Sequence, residues 1–123
     1  MDIIISNASG KPIYEQITTQ IKNQILSNAL TAGDALPSMR TLAKELRISV
    51  ITTKRAYEDL ERDGFIETVP GKGSFIANKN TDFMREEALR QIEAALTHGV
   101  DIARRSGVSS AEITEMLAII LEE

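Results

Sequence analysis

The chain has 123 residues, 42% of them hydrophobic and only 4% aromatic, so it can build one small aliphatic core with an extension but not two full-sized domains. It has no cysteine, which excludes disulfides, thiolate metal sites and cysteine nucleophiles. The net charge of −4 is polarised, with ten basic against eight acidic side chains in residues 11–79 and four against nine in residues 80–123, so a polyanionic partner suits the first part and not the second.

In chain order, Ile3–Ser6 reads as a possible short strand ended by Asn7, Ser9 and Gly10. Its three isoleucines are too few for a signal-peptide core or a membrane span, and the expected location is the cytoplasm. Pro12 can open a helix over residues 12–28. There Ile13, Ile17, Ile21 and Ile25 recur every fourth residue with Leu26 and Ala29 beside them, and Gln16, Gln20, Lys22 and Asn23 fall on the wet side. Gly33 and Asp34 make a turn, Pro37 keeps the chain extended, and Ser38 caps a second helix over residues 39–46 that buries Leu42, Ala43 and Leu46. After a turn at Arg47–Ser49, Ser49 caps a third helix over residues 50–63, with Ala56, Tyr57 and Leu60 inward and Gly64 as its stop.

Phe65–Val69 and Ser74–Ala77 are two short β-type runs joined by Pro70, Gly71, Lys72 and Gly73, a hairpin with a basic tip. Lys79–Thr81 is a polar link. Beyond it Phe83, Leu89, Ile92, Leu96, Val100 and Ala103 keep helical spacing up to Gly107, and Gly99, about 1 kcal/mol worse than Ala in a helix, leaves a break open. Ser109 with Glu112 is a capping box for a last helix whose apolar face is Ile113, Met116, Leu117 and Ile120. The fold class expected is mainly α with a small β wing. Residues 1–78 form a winged helix-turn-helix DNA-binding domain, and residues 79–123 a two-helix dimerisation segment with more apolar surface than it can bury alone.

The third helix then presents Ser49, Val50, Ile51, Thr53 and Lys54 at or near its exposed first turns, with Thr52 between faces, where recognition helices place base contacts. The helix starts at Ser38 and Ser49 favour phosphate, Arg40 suits a phosphate or a guanine edge, and Lys72 between Gly71 and Gly73 can approach a groove. Each has a blander reading: Arg40, Lys44 and Lys54 as solvated helix charges, the glycines as formers of the hairpin turn. Val50 and Ile51 waste apolar surface unless they touch thymine methyl groups or pack on the second helix. His98 is the single histidine, Glu86, Glu87 and Glu93 fit a wet helix face, and no Gly-rich phosphate loop or metal-ligand spacing occurs. An enzyme, a metal and a cofactor are therefore not expected.

The segments Pro12–Ile17, Gly33–Ser38, Arg40, Leu42–Ala43, Arg55–Tyr57, Leu60, Gly64 and Gly71–Phe75 together resemble the amino-terminal domain of GntR-family bacterial transcription regulators. The short two-helix remainder resembles the YtrA-like subfamily. The resemblance implies DNA contacts from Ser38, Arg40, Ser49, Thr52, Lys54, Gly71, Lys72 and Gly73, dimerisation through the last two helices, and repression of operons that include membrane transporter genes. Val50 stands where many such regulators have a base-reading Arg, and Met39 replaces a common acidic residue. The function expected is that of a homodimeric repressor on double-stranded operator DNA. The alternatives are a winged-helix protein-interaction module without specific DNA binding, or a regulator sensing a small ligand at the dimer interface.

Overall fold

The computed structural model describes residues 1–78 and 81–123. The expected polar link at Lys79–Thr81 lies outside the described residues, apart from the backbone of Thr81. The elements follow in the order α1 (Ile13–Leu26), α2 (Met39–Leu46), α3 (Val50–Arg62), β1 (Ile66–Val69), β2 (Gly73–Ile76), α4 (Thr81–Ser106) and α5 (Ser110–Leu121). The chain divides into two compact units between residues 80 and 81.

The first unit is organised around α3, which packs on α1, α2 and β1. Its apolar side delivers Ala56, Tyr57 and Leu60 to a core that also takes Ile17, Ile21 and Ile25 from α1, Leu42 and Ala43 from α2, and Phe65, Ile66 and Ile76 from the hairpin. The isoleucine stripe of α1 thus falls inward as its spacing predicts, but Ala29 is exposed and Leu30 closes that end of the core instead. The α1 helix has already ended at Leu26, with the chain turning through Asn28 in the left-handed region.

The antiparallel pair β1 and β2 places Ile66 opposite Ile76 and Val69 opposite Gly73. The α1–α2 connection adds a strand-like segment to this sheet: Gly33 donates to the Ile76 carbonyl, Ile76 to the Asp34 carbonyl and Leu36 to the Ser74 carbonyl, with an isolated bridge between Ala35 and Phe75. The Thr31 and Asp34 side chains and main chain close the turn that precedes it.

Residues 3–6 form no strand. The segment is extended but runs along α1, where side-chain amides take the place of a neighbouring strand. Gln20 Oε1 accepts from the Ile4 amide and Gln20 Nε2 donates to the Ile4 carbonyl (2.9 and 2.7 Å). Gln16 does the same for Ser6 (both 2.9 Å), and Gln24 Nε2 donates to the Asp2 carbonyl (2.8 Å). Alternate residues of an extended chain repeat about every 6.7 Å and every fourth residue of a helix about every 6 Å, so the two ladders stay in step over this length. Gln16, expected on the wet side, is buried as a result, and a third bond from its Nε2 reaches the Lys11 carbonyl.

In the second unit α4 runs unbroken through Gly99, so the break left open there does not occur. It ends at Gly107, where the Val108 amide donates to the Ala103 carbonyl. The capping box is complete: Ser109 Oγ accepts from the Glu112 amide and Glu112 Oε2 from the Ser109 amide. Among the described residues of this unit Ala103 is the one buried hydrophobic side chain, while Leu89, Ile92, Leu96, Met116, Ile119 and Ile120 are exposed. No helix among the described residues is long and apolar enough to cross a membrane.

Candidate nucleic-acid interface

Two serine-capped helix starts lie in the stretch Ser38–Thr52, and they are built alike. Ser38 Oγ accepts from the Thr41 amide (3.1 Å) and its hydroxyl donates to Thr41 Oγ1 (2.8 Å). Ser49 Oγ accepts from the Thr52 amide (3.1 Å), with the two hydroxyls again 2.8 Å apart. Each cap satisfies the amide at the third helical position. The amides before it have no partner within the helix, and they form the positive end that attracts phosphate.

The turn between α2 and α3 is fixed by Arg47, whose φ of 57° places a non-glycine residue in the left-handed region. The Ile48 amide then reaches back to the Ala43 carbonyl (3.0 Å), the six-to-one bond of a Schellman ending. Holding a side chain there costs about 1–2 kcal/mol, and the packing of Leu42 and Ala43 on one side and Ala56 on the other offsets it. A second restraint comes from Tyr57. Its hydroxyl donates to the Pro37 carbonyl at 2.6 Å, tying the residue before the Ser38 cap to the middle of α3. Burial, with a smaller push from Glu45, raises the affinity of that hydroxyl for its proton well above the ordinary tyrosine range. Tyr57 was expected inward from its spacing alone. Its bond to Pro37 escaped the sequence reading, although a buried tyrosine hydroxyl requires a partner.

At the wing, Pro70 and Gly71 occupy the centre of a tight turn closed by the Lys72 amide on the Val69 carbonyl (2.9 Å). Gly71 has φ of 77°, the value that the second central position of a type II turn demands, and Gly73 has φ of 116°. Lys72 is thereby held out at the exposed tip. The wing is tied to α3 through Thr68 Oγ1, which lies 3.3 Å from Glu61 Oε2 and 3.1 Å from Ser74 Oγ.

Of the residues expected to read DNA, Ser38, Arg40, Ser49, Val50, Ile51, Lys54, Gly71, Lys72 and Gly73 are all exposed and Thr52 is half-buried. Arg40 and Lys72 make no ion pair with any described residue, whereas Lys54 Nζ lies 3.8 Å from Glu58 one turn further along α3. Thr53 departs from the expectation. It is fully buried and its hydroxyl donates to the Ser49 carbonyl (3.2 Å), so it supports the helix start from inside and is not available to a groove. Arg55 is exposed on α3, but its guanidinium stacks 3.7 Å from the Tyr14 ring centre, which uses its flat face to join α3 to α1. No group of acidic or histidine side chains among the described residues could hold a metal ion.

This geometry can be set beside known proteins. The family model described as "Bacterial regulatory proteins, gntR family" matches residues 13–76, the span from the start of α1 to the end of β2. The chain is 35% identical to the HTH-type transcriptional repressor YtrA of Bacillus subtilis (strain 168) over 94% of its own length and 88% of that protein's. A solved transcriptional regulator from Oenococcus oeni superposes with a TM-score of 0.74 at 32% identity, covering 95% of this chain and 97% of that one. The AraR DNA-binding domain, solved in complex with operator ORX1, shares the fold at 22% identity and a TM-score of 0.55, over 63% of this chain and 96% of its own. With the family model spanning the two capped helices and the wing, and the likeness to a YtrA repressor running through α4 and α5 as well, the chain belongs to the GntR family as a YtrA-like transcriptional regulator, not an enzyme.

Proposed function

We propose that the chain is a cytoplasmic, homodimeric repressor that binds a palindromic operator, with one α3 in the major groove of each half-site and the Lys72 tip along the adjacent minor groove. The carrying observation is that Arg40, next to the α2 start, and Lys72, at the wing tip, are both exposed and without an ion pair among the described residues. With the helix starts at Ser38 and Ser49 they offer a set of phosphate contacts whose strength falls as salt rises. Ser49, Thr52 and Lys54 complete the α3 end of this surface, and Gly71 and Gly73 let the wing backbone approach closely. Support for DNA as the partner comes from the AraR domain, which has the same fold and was solved on an operator. Repression is the role in the name of the YtrA relative, and the subfamily resemblance adds transporter genes as the regulated operon.

The second copy follows from apolar surface. Phe83, Leu89, Ile92, Leu96 and Val100 on α4 and Ile113, Met116, Leu117 and Ile120 on α5 form the proposed dimer interface. None of them is buried, and a matching copy would cover them isologously. Such a dimer would hold two α3 helices about one DNA turn, roughly 34 Å, apart.

The test is a duplex selected from a random pool with the full chain. The doubly substituted Arg40→Ala/Lys72→Ala chain should lose most of its affinity and the salt dependence that goes with two phosphate contacts, while sedimentation still reports a dimer. Selection of no duplex at low salt, or unchanged binding by the double variant, would instead leave a winged-helix module for protein partners.

A further inference from the structure

The outward face of α3 is short of groups that read bases by hydrogen bonding. Its exposed positions are Val50, Ile51, Lys54, Arg55, Glu58, Glu61 and Arg62. Arg55 lies over Tyr14, Lys54 pairs with Glu58, Arg62 pairs with Asp59 and Asp63, and Glu61 meets Thr68. The Thr52 hydroxyl is engaged with Ser49 and Thr53 is buried. The leading turn therefore offers a groove two β-branched apolar side chains, with Val50 44% and Ile51 80% exposed. Val50 is thus partly sheltered, and Ile51 hardly at all.

Guanine, adenine and cytosine edges in the major groove are read by paired donors and acceptors, and the one apolar feature there is the thymine C5-methyl group. We infer that Ile51, with Val50 beside it, reads thymine methyl groups, so that each operator half-site is specified at the α3 start by methyl contact rather than by paired hydrogen bonds. This rests on the operator reading above. The helix-start amides and the unpaired Arg40 bring DNA to this face, and charge alone would not distinguish one base pair from another. Burying one methyl against Ile51 is worth about 0.8 kcal/mol, which converts to about fourfold in affinity.

The experiment uses the full chain and the duplex selected with it, replacing each thymine in turn by deoxyuridine, which keeps every hydrogen-bonding group and removes only the methyl. The expected result is one or two thymines per half-site whose replacement weakens binding about fourfold each. The Ile51→Ala chain, folded by circular dichroism, should bind more weakly and show no further loss at those positions, because the two changes remove the same contact. Tight binding with no sensitivity to any deoxyuridine overturns the inference while leaving the operator reading intact. Equal deoxyuridine losses in the parent and Ile51→Ala chains also overturn it, since the methyl would then be read by another residue. Selection of no duplex at all overturns the operator reading and this inference together.

Discussion

In the first unit Ile17, Ile21, Tyr57, Leu60 and Phe65 are almost completely shielded from solvent, whereas in the second Leu96, Ile119 and Leu121 are about half exposed or more. The side chains and the helical spacing are of the same kind. The difference is the number of neighbours each helix has within its own unit. α3 is flanked by α1, α2 and β1, so its apolar face is satisfied locally. α4 is a 26-residue helix with one 12-residue companion in its own unit, and a pair of helices cannot enclose the apolar faces of both. An amphipathic stripe thus reports a contact without saying whether the contact lies within the chain or with another molecule.

The sharpest way to break that comparison is to charge the second unit. Leu96→Glu with Ile120→Glu should give a monomer by sedimentation, with operator affinity falling more than about a hundredfold as the two-site advantage disappears, and with no change in the denaturation of the first unit. Persistence of the dimer would place the interface elsewhere. The opposite change is Leu60→Ala, which should cost the first unit about 2–5 kcal/mol in urea denaturation while the subunit mass stays that of the parent.

A smaller effect tests the tie between α3 and the Ser38 cap. Tyr57→Phe should lose about 1–2 kcal/mol because the Pro37 carbonyl is left without its donor. The parent also carries a pH signature. Its folded hydroxyl holds the proton well above the unfolded value of about 10. Stability from this group is therefore fully present below about pH 10 and declines as pH rises beyond it, whereas the Phe variant should show no such decline. Gln20→Ala, at roughly 1 kcal/mol for two bonds at the surface, should speed hydrogen exchange at the Ile4 amide without altering the core. The smallest is Gly99→Ala, where a Cβ meets nothing within 4 Å among the described residues. It should stabilise α4 by up to about 1 kcal/mol, and loss of the dimer instead would put Gly99 against the partner.

Much of the fold was legible in the sequence because local chemistry specified it. Ser38 and Ser49 both cap as read, Pro70 and Gly71 turn the wing, and Ser109 with Glu112 closes the box at α5. In the candidate interface the exposed positions were also readable, since the buried set Ala56, Tyr57 and Leu60 fixes the opposite face of α3. Thr53 was misplaced because it flanks that set and a threonine suits either face. Gln16 was misplaced because its periodicity is that of a wet residue, and only the extended segment across it supplies the partners that bury it.

By itself the sequence determined the order of the helices, the capped starts of α2, α3 and α5, the hairpin and the family, because caps, turns and periodic apolar residues act over a few positions. Tertiary structure alone decided the strand-like partner of β2 at Ala35, the glutamine ladder under residues 2–6, the bond from Tyr57 to Pro37 and the stacking of Arg55 on Tyr14. Each of these joins residues distant in sequence through the unpaired backbone or side-chain groups that packing happens to bring together. It also decided that Ile51 stands open at the start of α3, largely uncovered by the described residues of its own unit, since whether an apolar side chain is sheltered depends on what packs across from it.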